Sequence, residues 1–187
     1  ADAAGAAPIV VNLHHLGAQI ARHLAARPIA LSWEPVLLET GGGLRQALPK
    51  LGAGPVMTLN ADAVWSGANP LQQLAAAWDE TRMDALLLLA PKAQTRGHNG
   101  TGDFLQSDDG RIQRAAGAEA PIYLGAQIIR TEGLADIDED VFSLNRLWDV
   151  LIARGRAFGL IHQGGWCDVG RPEGIAQAEA LLAEAAG

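Results

Sequence analysis

Two aspartates stand where α/β proteins place their ligand-binding groups, shortly after strand-like segments. Asp62 follows the apolar run 56–59, and Asp168 follows the last strand-like run of the chain. Ligands of such sheets bind beyond the carboxyl ends of the strands, so we expect the two side chains to converge. Two carboxylates, completed by phosphate oxygens and water, are a usual Mg²⁺ site. The spacing leaves an alternative open, in which Asp62 caps a turn and Asp168 caps the next helix.

The segment Glu39-Thr40-Gly41-Gly42-Gly43 is the second candidate, because three consecutive glycines carry no side chains. We expect a turn here that joins a strand-like segment to a helix. A flat base or a phosphate could approach such a backbone closely, and the N–H groups at the helix start would be donors for it. The alternative is a tight turn without a ligand, and an isolated run of glycines does not decide between the two.

The composition limits the partners of the chain. Its 187 residues are 49% hydrophobic, and 14 Lys and Arg against 21 Asp and Glu give a net charge of −7. This balance offers no general attraction for nucleic acid or for an anionic membrane, so any phosphate must be held locally. Cys167 is the only cysteine, which excludes an intramolecular disulfide, and no apolar run approaches the ~20 residues of a membrane-spanning helix. These features favour a reducing, cytoplasmic setting.

Apolar periodicity predicts alternating strands and helices in the first half of the chain. Asn69 has the side chain of an N-cap, and Pro70 suits the first position of a helix. The run 84–90 is continuously apolar, as in a strand that is buried on both faces. The predicted strands are 8–11, 55–59 and 84–90, and the predicted helices contain residues 16–24, 44–51 and 70–78.

The second half continues the alternation after a polar, glycine-rich segment, 94–120, which predicts loops and a hairpin. Strands are predicted over 122–129 and 157–162, and helices over 144–151 and 172–185. No linker or internal repeat interrupts the chain. The pattern therefore predicts one α/β domain over residues 1–187.

Taken together, these segments resemble the sugar-1-phosphate nucleotidyltransferase family, and most closely its N-acetylmuramate-1-phosphate uridylyltransferase branch. The matching segments occur in order along nearly the whole chain, and the acids after Asn60 and after Trp166 are the most specific of them. The segments are Val11-Asn12-Leu13-His14-His15-Leu16, Leu37-Leu38-Glu39-Thr40-Gly41-Gly42-Gly43, Asn60-Ala61-Asp62, Gly102-Asp103-Phe104, Phe142-Ser143-Leu144 and Trp166-Cys167-Asp168-Val169-Gly170-Arg171-Pro172-Glu173.

The resemblance implies a Rossmann-like α/β fold with a mixed, mostly parallel sheet flanked by helices. It implies that Asp62 and Asp168 are catalytic and hold Mg²⁺. The implied nucleotide-binding residues are Glu39, Thr40, Gly41, Gly42, Gly43 and Asn60. The implied sugar-binding residues are Gly125, Asp140 and Asn145.

The implied activity is the transfer of UMP from UTP to N-acetylmuramate-1-phosphate in bacterial cell-wall recycling, which yields a nucleotide sugar and pyrophosphate. One alternative is a mannose- or heptose-1-phosphate guanylyltransferase, in which Glu39 would accept a hydrogen bond from the exocyclic amine of guanine. Another is a non-catalytic protein of the same fold that binds nucleotide sugars.

The sequence departs from the family at two places. The family opens with a strand, a glycine-rich phosphate loop that contains an Arg, and a Lys shortly afterwards, and none of these is present here. We therefore expect the displayed chain to lack roughly 30 residues or more, about one strand–loop–helix unit, and to be a poor catalyst on its own. Arg171 stands where the family more often has Thr.

Overall fold

The computed structural model describes residues 1–186 and confirms the predicted α/β class. Strands and helices alternate over much of this part of the chain, but the segment 85–129 contains successive strands with no α-helix between them. None of the helices within it is long and apolar enough to cross a membrane.

The elements follow in the order of the chain. The strands are β1 (Ile9–Leu13), β2 (Ile29–Trp33), β3 (Val56–Leu59), β4 (Ala63–Trp65), β5 (Ala85–Ala90), β6 (Thr95–Arg96), β7 (Phe104–Gln106), β8 (Ile112–Arg114), β9 (Ile122–Ile129), β10 (Ala157–Ile161) and β11 (Trp166–Asp168). The helices are α1 (Gly17–Leu24), α2 (Glu39–Leu51), α3 (Pro70–Ala77), α4 (Asn145–Ala153) and α5 (Pro172–Ala186).

The chain forms two compact units. The first consists of Ala1–Val56 and Arg130–Val150, and the second consists of Met57–Ile129 together with the residues from Leu151 onward. The prediction of a single domain over 1–187 stays a prediction.

In the first unit, β1 and β2 pair in parallel, with Ile9 opposite Ile29. Parallel neighbours need a crossover connection, and α1 provides it. The predicted helix is confirmed, but Leu16 and Ile20 on its apolar side are 54% and 39% exposed. Periodicity therefore located this helix without determining how deeply its apolar side chains are buried.

The second unit is built on a four-stranded sheet in the order β10-β5-β9-β3. β10 and β5 are parallel, whereas β5 and β9 are antiparallel, so the sheet is mixed. All six residues of Ala85–Ala90 are buried, which confirms the prediction of a strand covered on both faces. This strand is the centre of the unit's core.

Helix α3 begins as the sequence predicts. The Asn69 side-chain oxygen accepts hydrogen bonds from the N–H groups of Leu71 and Gln72, at 3.0 and 3.2 Å, and Pro70 occupies the first helical position. These bonds satisfy N–H groups that have no partner within the helix. The short polar side chain of Asn69 thus fixes the start of α3.

Smaller sheets complete the second unit. β11 lies between β4, its antiparallel neighbour, and β6, its parallel neighbour. β7 and β8 form the hairpin that the glycine-rich segment predicts. Helix α5 packs against β11 through Ala178 and Leu181, which contact the buried Cys167. The residues of β11 are thereby held between two strands and a helix.

Candidate active site

The structure brings the two candidate aspartates together within the second unit. β11 pairs with β4 so that Asp168 lies opposite Ala63, and the Val169 N–H donates to the Asp62 carbonyl oxygen at 2.8 Å. A Cβ built on Gly170 would lie 3.1 Å from Asp168 Oδ1 and 3.3 Å from Asp62 Oδ2. The two carboxylates therefore face a common point beside Gly170, as their positions after strand-like segments predicted.

These carboxylates make few bonds with the protein itself. Asp168 Oδ1 accepts a hydrogen bond of 2.8 Å from the N–H of Gly170. Neither acid forms an ion pair with an Arg or Lys among the described residues. This bond is not a cap of α5, which was the alternative expected for Asp168. Gly170 lies before the first residue of α5, so its N–H is not one of the helix's own.

This donor set fits Mg²⁺, which takes hard oxygen ligands and usually keeps several waters or phosphate oxygens. Asp62 and Asp168 supply two anionic oxygens that converge without a protein cation between them. Within the described part of the chain, no group of three or more His, Cys, Asp and Glu side chains is arranged to hold a metal. The protein would thus leave most coordination positions to the substrate and water.

A cavity of about 190 Å³ opens at these carboxylates. Asn60 and Gly125 line it as well, and the Asn60 N–H donates to the Gly125 carbonyl oxygen at 2.7 Å. Gly125 has a φ of +78°, and a Cβ at this position would lie 2.7 Å from the Cβ of Asn60. The structure therefore places the predicted nucleotide-binding Asn60 and the predicted sugar-binding Gly125 in one cavity with the acids.

The strand that leads to Gly125 is held by Asp103. Its Oδ2 accepts a hydrogen bond of 2.8 Å from the N–H of Tyr123, which lines the same cavity. Burial raises the pKa of Tyr123 well above its ordinary value, although a hydrogen bond with Thr58 acts in the opposite direction. The phenol is consequently a neutral group. The sequence placed Asp103 within a family segment but gave it no role.

Two aromatic side chains in the cavity wall carry buried ring nitrogens without a partner. The rings of Trp166 and His98 lie 6.4 Å apart between centroids, and both residues line the cavity. Neither Trp166 Nε1 nor His98 Nε2 has a hydrogen-bond partner among the described residues. Buried polar atoms usually have partners, so these two nitrogens are exceptions among the described residues. Their position could not be found from sequence, because it depends on how the loop 97–103 folds.

The glycine segment lies in the first unit, and the turn predicted for it is wrong. Gly41, Gly42 and Gly43 are buried inside α2, which begins at Glu39. A Cβ on Gly41 would lie 2.4 Å from the Phe142 ring, and one on Gly42 would lie 2.3 Å from the Asp140 carbonyl oxygen. The glycines thus let the residues around Phe142 approach the helix closely. Their predicted contact with a nucleobase, together with that of Glu39, stays a prediction.

The remaining predicted residues of the first unit are engaged in local bonds. Thr40 Oγ1 accepts a hydrogen bond of 2.9 Å from the N–H of Leu144. Asp140 forms an ion pair with Arg45 at 3.1 Å, and Asn145 donates from Nδ2 to the Ser143 hydroxyl at 2.8 Å. Asp140 and Asn145 do not belong to the cavity around Asp62 and Asp168.

A buried carboxylate also lies in the first unit, where the sequence gave no indication of one. Glu34 is 7% exposed. Its Oε1 accepts a hydrogen bond of 2.8 Å from Asn12 Nδ2, and its Oε2 accepts one of 3.0 Å from the N–H of Leu38. A Cβ on Gly43 would lie 2.7 Å from Oε1. Glu34 therefore ties β1 to the segment before α2, which is a structural role.

Comparison with known proteins finds relatives that match nearly the whole chain. No family model matches the chain. An N-acetylmuramate alpha-1-phosphate uridylyltransferase from Caulobacter vibrioides is 42% identical over 98% of this chain and 81% of its own length. The protein of the same name from Neisseria meningitidis is 33% identical over 95% of this chain and 79% of its own length.

Solved structures show the same fold at lower sequence identity. HddC from Yersinia pseudotuberculosis superposes with a TM-score of 0.71 at 18% identity, over 95% of this chain and 79% of that one. HddC in complex with GMP-PN gives a TM-score of 0.70 at 17% identity over the same shares. The two relatives show the family: the chain belongs to the N-acetylmuramate α-1-phosphate uridylyltransferases, which are nucleotidyltransferases.

Proposed function

We propose that the chain transfers UMP from UTP to N-acetylmuramate-1-phosphate. The observation that carries the proposal is the convergence of Asp62 and Asp168 on one point beside Gly170. The names of both relatives support the choice of substrates. The product sugar would serve cell-wall recycling in the cytoplasm.

The reaction is a single displacement at phosphorus. An oxygen of the sugar phosphate attacks the α-phosphorus of UTP, and the bond from that phosphorus to the bridging oxygen of the β-phosphate breaks. Pyrophosphate leaves with the electron pair of that bond. Asp62 and Asp168 would hold Mg²⁺, which when bound neutralises phosphate charge and aligns the reacting groups.

The chain's other residues would bind and orient the substrates. Asn60 and Gly125 offer amide and backbone groups in the cavity around the acids, and these can hydrogen-bond to sugar hydroxyls. In the first unit, Thr40 and the glycines of α2 would contact uracil, and Asp140 or Asn145 would bind sugar hydroxyls.

The metal assignment is tested with Asp62→Asn and Asp168→Asn in the full-length protein. Each variant loses an anionic ligand, so we expect turnover to fall by at least roughly 100-fold, with an unchanged urea-unfolding curve. Asp108→Asn, an exposed acid in the β7–β8 turn, is the control and should retain activity. Near-wild-type turnover of either acid-pair variant at saturating Mg²⁺ would remove the assignment.

The substrate assignment is tested by pyrophosphate release from matched pairs. We expect UTP with N-acetylmuramate-1-phosphate to react faster than GTP with mannose- or heptose-1-phosphate. The names of both relatives favour the first of these pairs, and guanine would need an acceptor for its exocyclic amine. A clear preference for GTP would overturn the uridylyl assignment.

A further inference from the structure

A second cavity of about 350 Å³ shares Asp168 with the first one. Arg171 lines it. The amide side chains of Asn99 and Gln177 lie in the same wall. The second cavity thus combines one cationic side chain, two neutral amides and the carboxylate of Glu173 beside a proposed metal ligand.

Glycines keep this cavity in contact with the backbone of Asp168. A Cβ on Gly97 would lie 2.5 Å from the Asp168 carbonyl oxygen, and a Cβ on Gly174 would lie 2.3 Å from it. Both glycines line the cavity. No larger residue fits at either position without moving the strand that carries Asp168. A larger side chain in this wall of the cavity would therefore displace Asp168.

Arg171 has no charged partner among the described residues. Some other arginines of the second unit are paired, such as Arg96 with Glu184 at 2.6 Å and Arg156 with Asp84 at 2.9 Å. Arg171 forms no ion pair and no side-chain hydrogen bond with any described residue, although Glu173 lines the same cavity. Its guanidinium therefore keeps its N–H donors for an external acceptor.

We propose that the second cavity is an oxyanion-binding subsite for the sugar substrate, in which Arg171 receives a carboxylate or phosphate group. The inference rests on the proposed function. A guanidinium binds both groups through two parallel hydrogen bonds, and Asn99 and Gln177 can donate to the same oxygens. N-Acetylmuramate-1-phosphate carries both a carboxylate and a phosphate, so it contains two groups that the subsite can bind.

The experiment measures binding of two sugar phosphates to the full-length protein by calorimetry, and KM and kcat for each by pyrophosphate release. N-Acetylglucosamine-1-phosphate has the same phosphate as N-acetylmuramate-1-phosphate but lacks its carboxylate. The variants are Arg171→Gln and Arg171→Lys. Arg154→Gln, which removes an exposed arginine outside the cavity, is the matched control.

We expect Arg171→Gln to weaken binding of N-acetylmuramate-1-phosphate and to raise its KM by about tenfold or more, as for the loss of a charged hydrogen bond. Arg171→Lys should restore part of this loss, and Arg154→Gln should match the wild type. If the carboxylate is the bound group, N-acetylglucosamine-1-phosphate should bind both proteins equally. If the phosphate is the bound group, Arg171→Gln should bind both sugar phosphates more weakly than the wild type does.

Wild-type affinity and KM of Arg171→Gln for both sugars would overturn the subsite while leaving the proposed function intact. A wild-type protein that neither binds nor converts either sugar phosphate would overturn the proposed function and the subsite with it. UTP binding and urea unfolding of each variant show whether the variant is folded. The two failures are thereby distinguishable.

Discussion

At the scale of single residues, the contact between Gly125 and Asn60 ties backbone conformation to the shape of the cavity. Gly125 combines a left-handed φ of +78° with the space occupied by Asn60. We expect Gly125→Ala to lose about 1 kcal/mol or more of stability from backbone strain. The added methyl should also displace Asn60 and raise KM for the sugar phosphate. Urea unfolding and steady-state kinetics measure the two effects.

Gly117→Ala is the control for this prediction. Gly117 also has a left-handed φ, of +90°, but a Cβ there would meet nothing within 4 Å. It should therefore show the strain without the rise in KM. Equal KM values for the two variants would contradict the role given to the contact with Asn60.

The sequence led us to expect that Asp62 and Asp168 converge, but the structure achieves this through the pairing of β11 with β4, two short strands that the sequence did not predict. The role of Asp103 was not predictable from the sequence. Its partner is the backbone N–H of Tyr123, and any residue except proline could provide such a group at that position. The sequence also gave no indication that Trp166 Nε1 and His98 Nε2 lack partners, because the burial of a single atom depends on the packing of the whole loop.

At the scale of elements, Thr40 connects the first turn of α2 to the start of α4. Its hydroxyl oxygen accepts a hydrogen bond from the N–H of Leu144, the residue before α4. We expect Thr40→Val to lose about 1 kcal/mol of stability, as when a helix cap is removed. Thr40→Ser keeps the hydroxyl and should lose less. Urea unfolding compares the variants.

The same pair of variants separates stability from the nucleotide affinity proposed for Thr40. UTP binding is measured by calorimetry under conditions in which both variants are folded. Weaker binding by Thr40→Val alone supports a direct role of the hydroxyl. Unchanged UTP affinity in both variants would leave Thr40 with a structural role only.

The end of β10 carries a buried histidine held by α3. His162 is 2% exposed, and its Nδ1 accepts a hydrogen bond of 2.8 Å from Gln73 Nε2. Burial lowers the pKa of His162, while hydrogen bonds to the backbone near Gly165 and Ser66 act in the opposite direction. Below about pH 6.5 the unfolded chain therefore binds a proton more readily than the folded one, and stability falls as the pH falls.

We expect His162→Asn to reduce this pH dependence. The free energy of unfolding in urea, measured at pH 7.5 and 5.5, should fall less in the variant than in the wild type, since its side chain does not titrate. Carboxylates contribute equally to both proteins and cancel in the comparison. His15→Asn, at an exposed histidine, is the control. An identical fall in the wild type and His162→Asn would refute the assignment.

Long elements were predictable because their patterns repeat several times. The run Ala85–Ala90 and the cap at Asn69 are examples in which composition and one polar side chain were sufficient. The short strands β4, β6 and β11 span two or three residues, too few for any period to show. Helix α2 was predicted to begin after its glycines, because glycine disfavours helices, but close packing against Phe142 outweighs that preference.

At the scale of the whole molecule, the ordered family segments and the α/β alternation were sufficient to predict the fold class. The division into two compact units was not predictable, because the first unit joins Ala1–Val56 to Arg130–Val150, and such pairing of distant segments produces no local pattern. The net charge of −7 predicts that any phosphate is held by local groups, and this stays a prediction.

Cys167 lies in β11, so chemical labelling of its thiol can report when this strand opens. The thiol is fully buried. Burial is the largest cause that raises the pKa of Cys167, the charge of Asp168 adds to it, and Arg96 acts in the opposite direction.

Alkylating reagents attack the thiolate of a cysteine, so labelling of Cys167 requires β11 to open. Since this is the only cysteine, each labelled molecule records one opening beside Asp168. We expect Mg²⁺ with UTP to slow labelling by iodoacetamide, followed by mass spectrometry, and labelling as fast as that of a free thiol would show that β11 is already open.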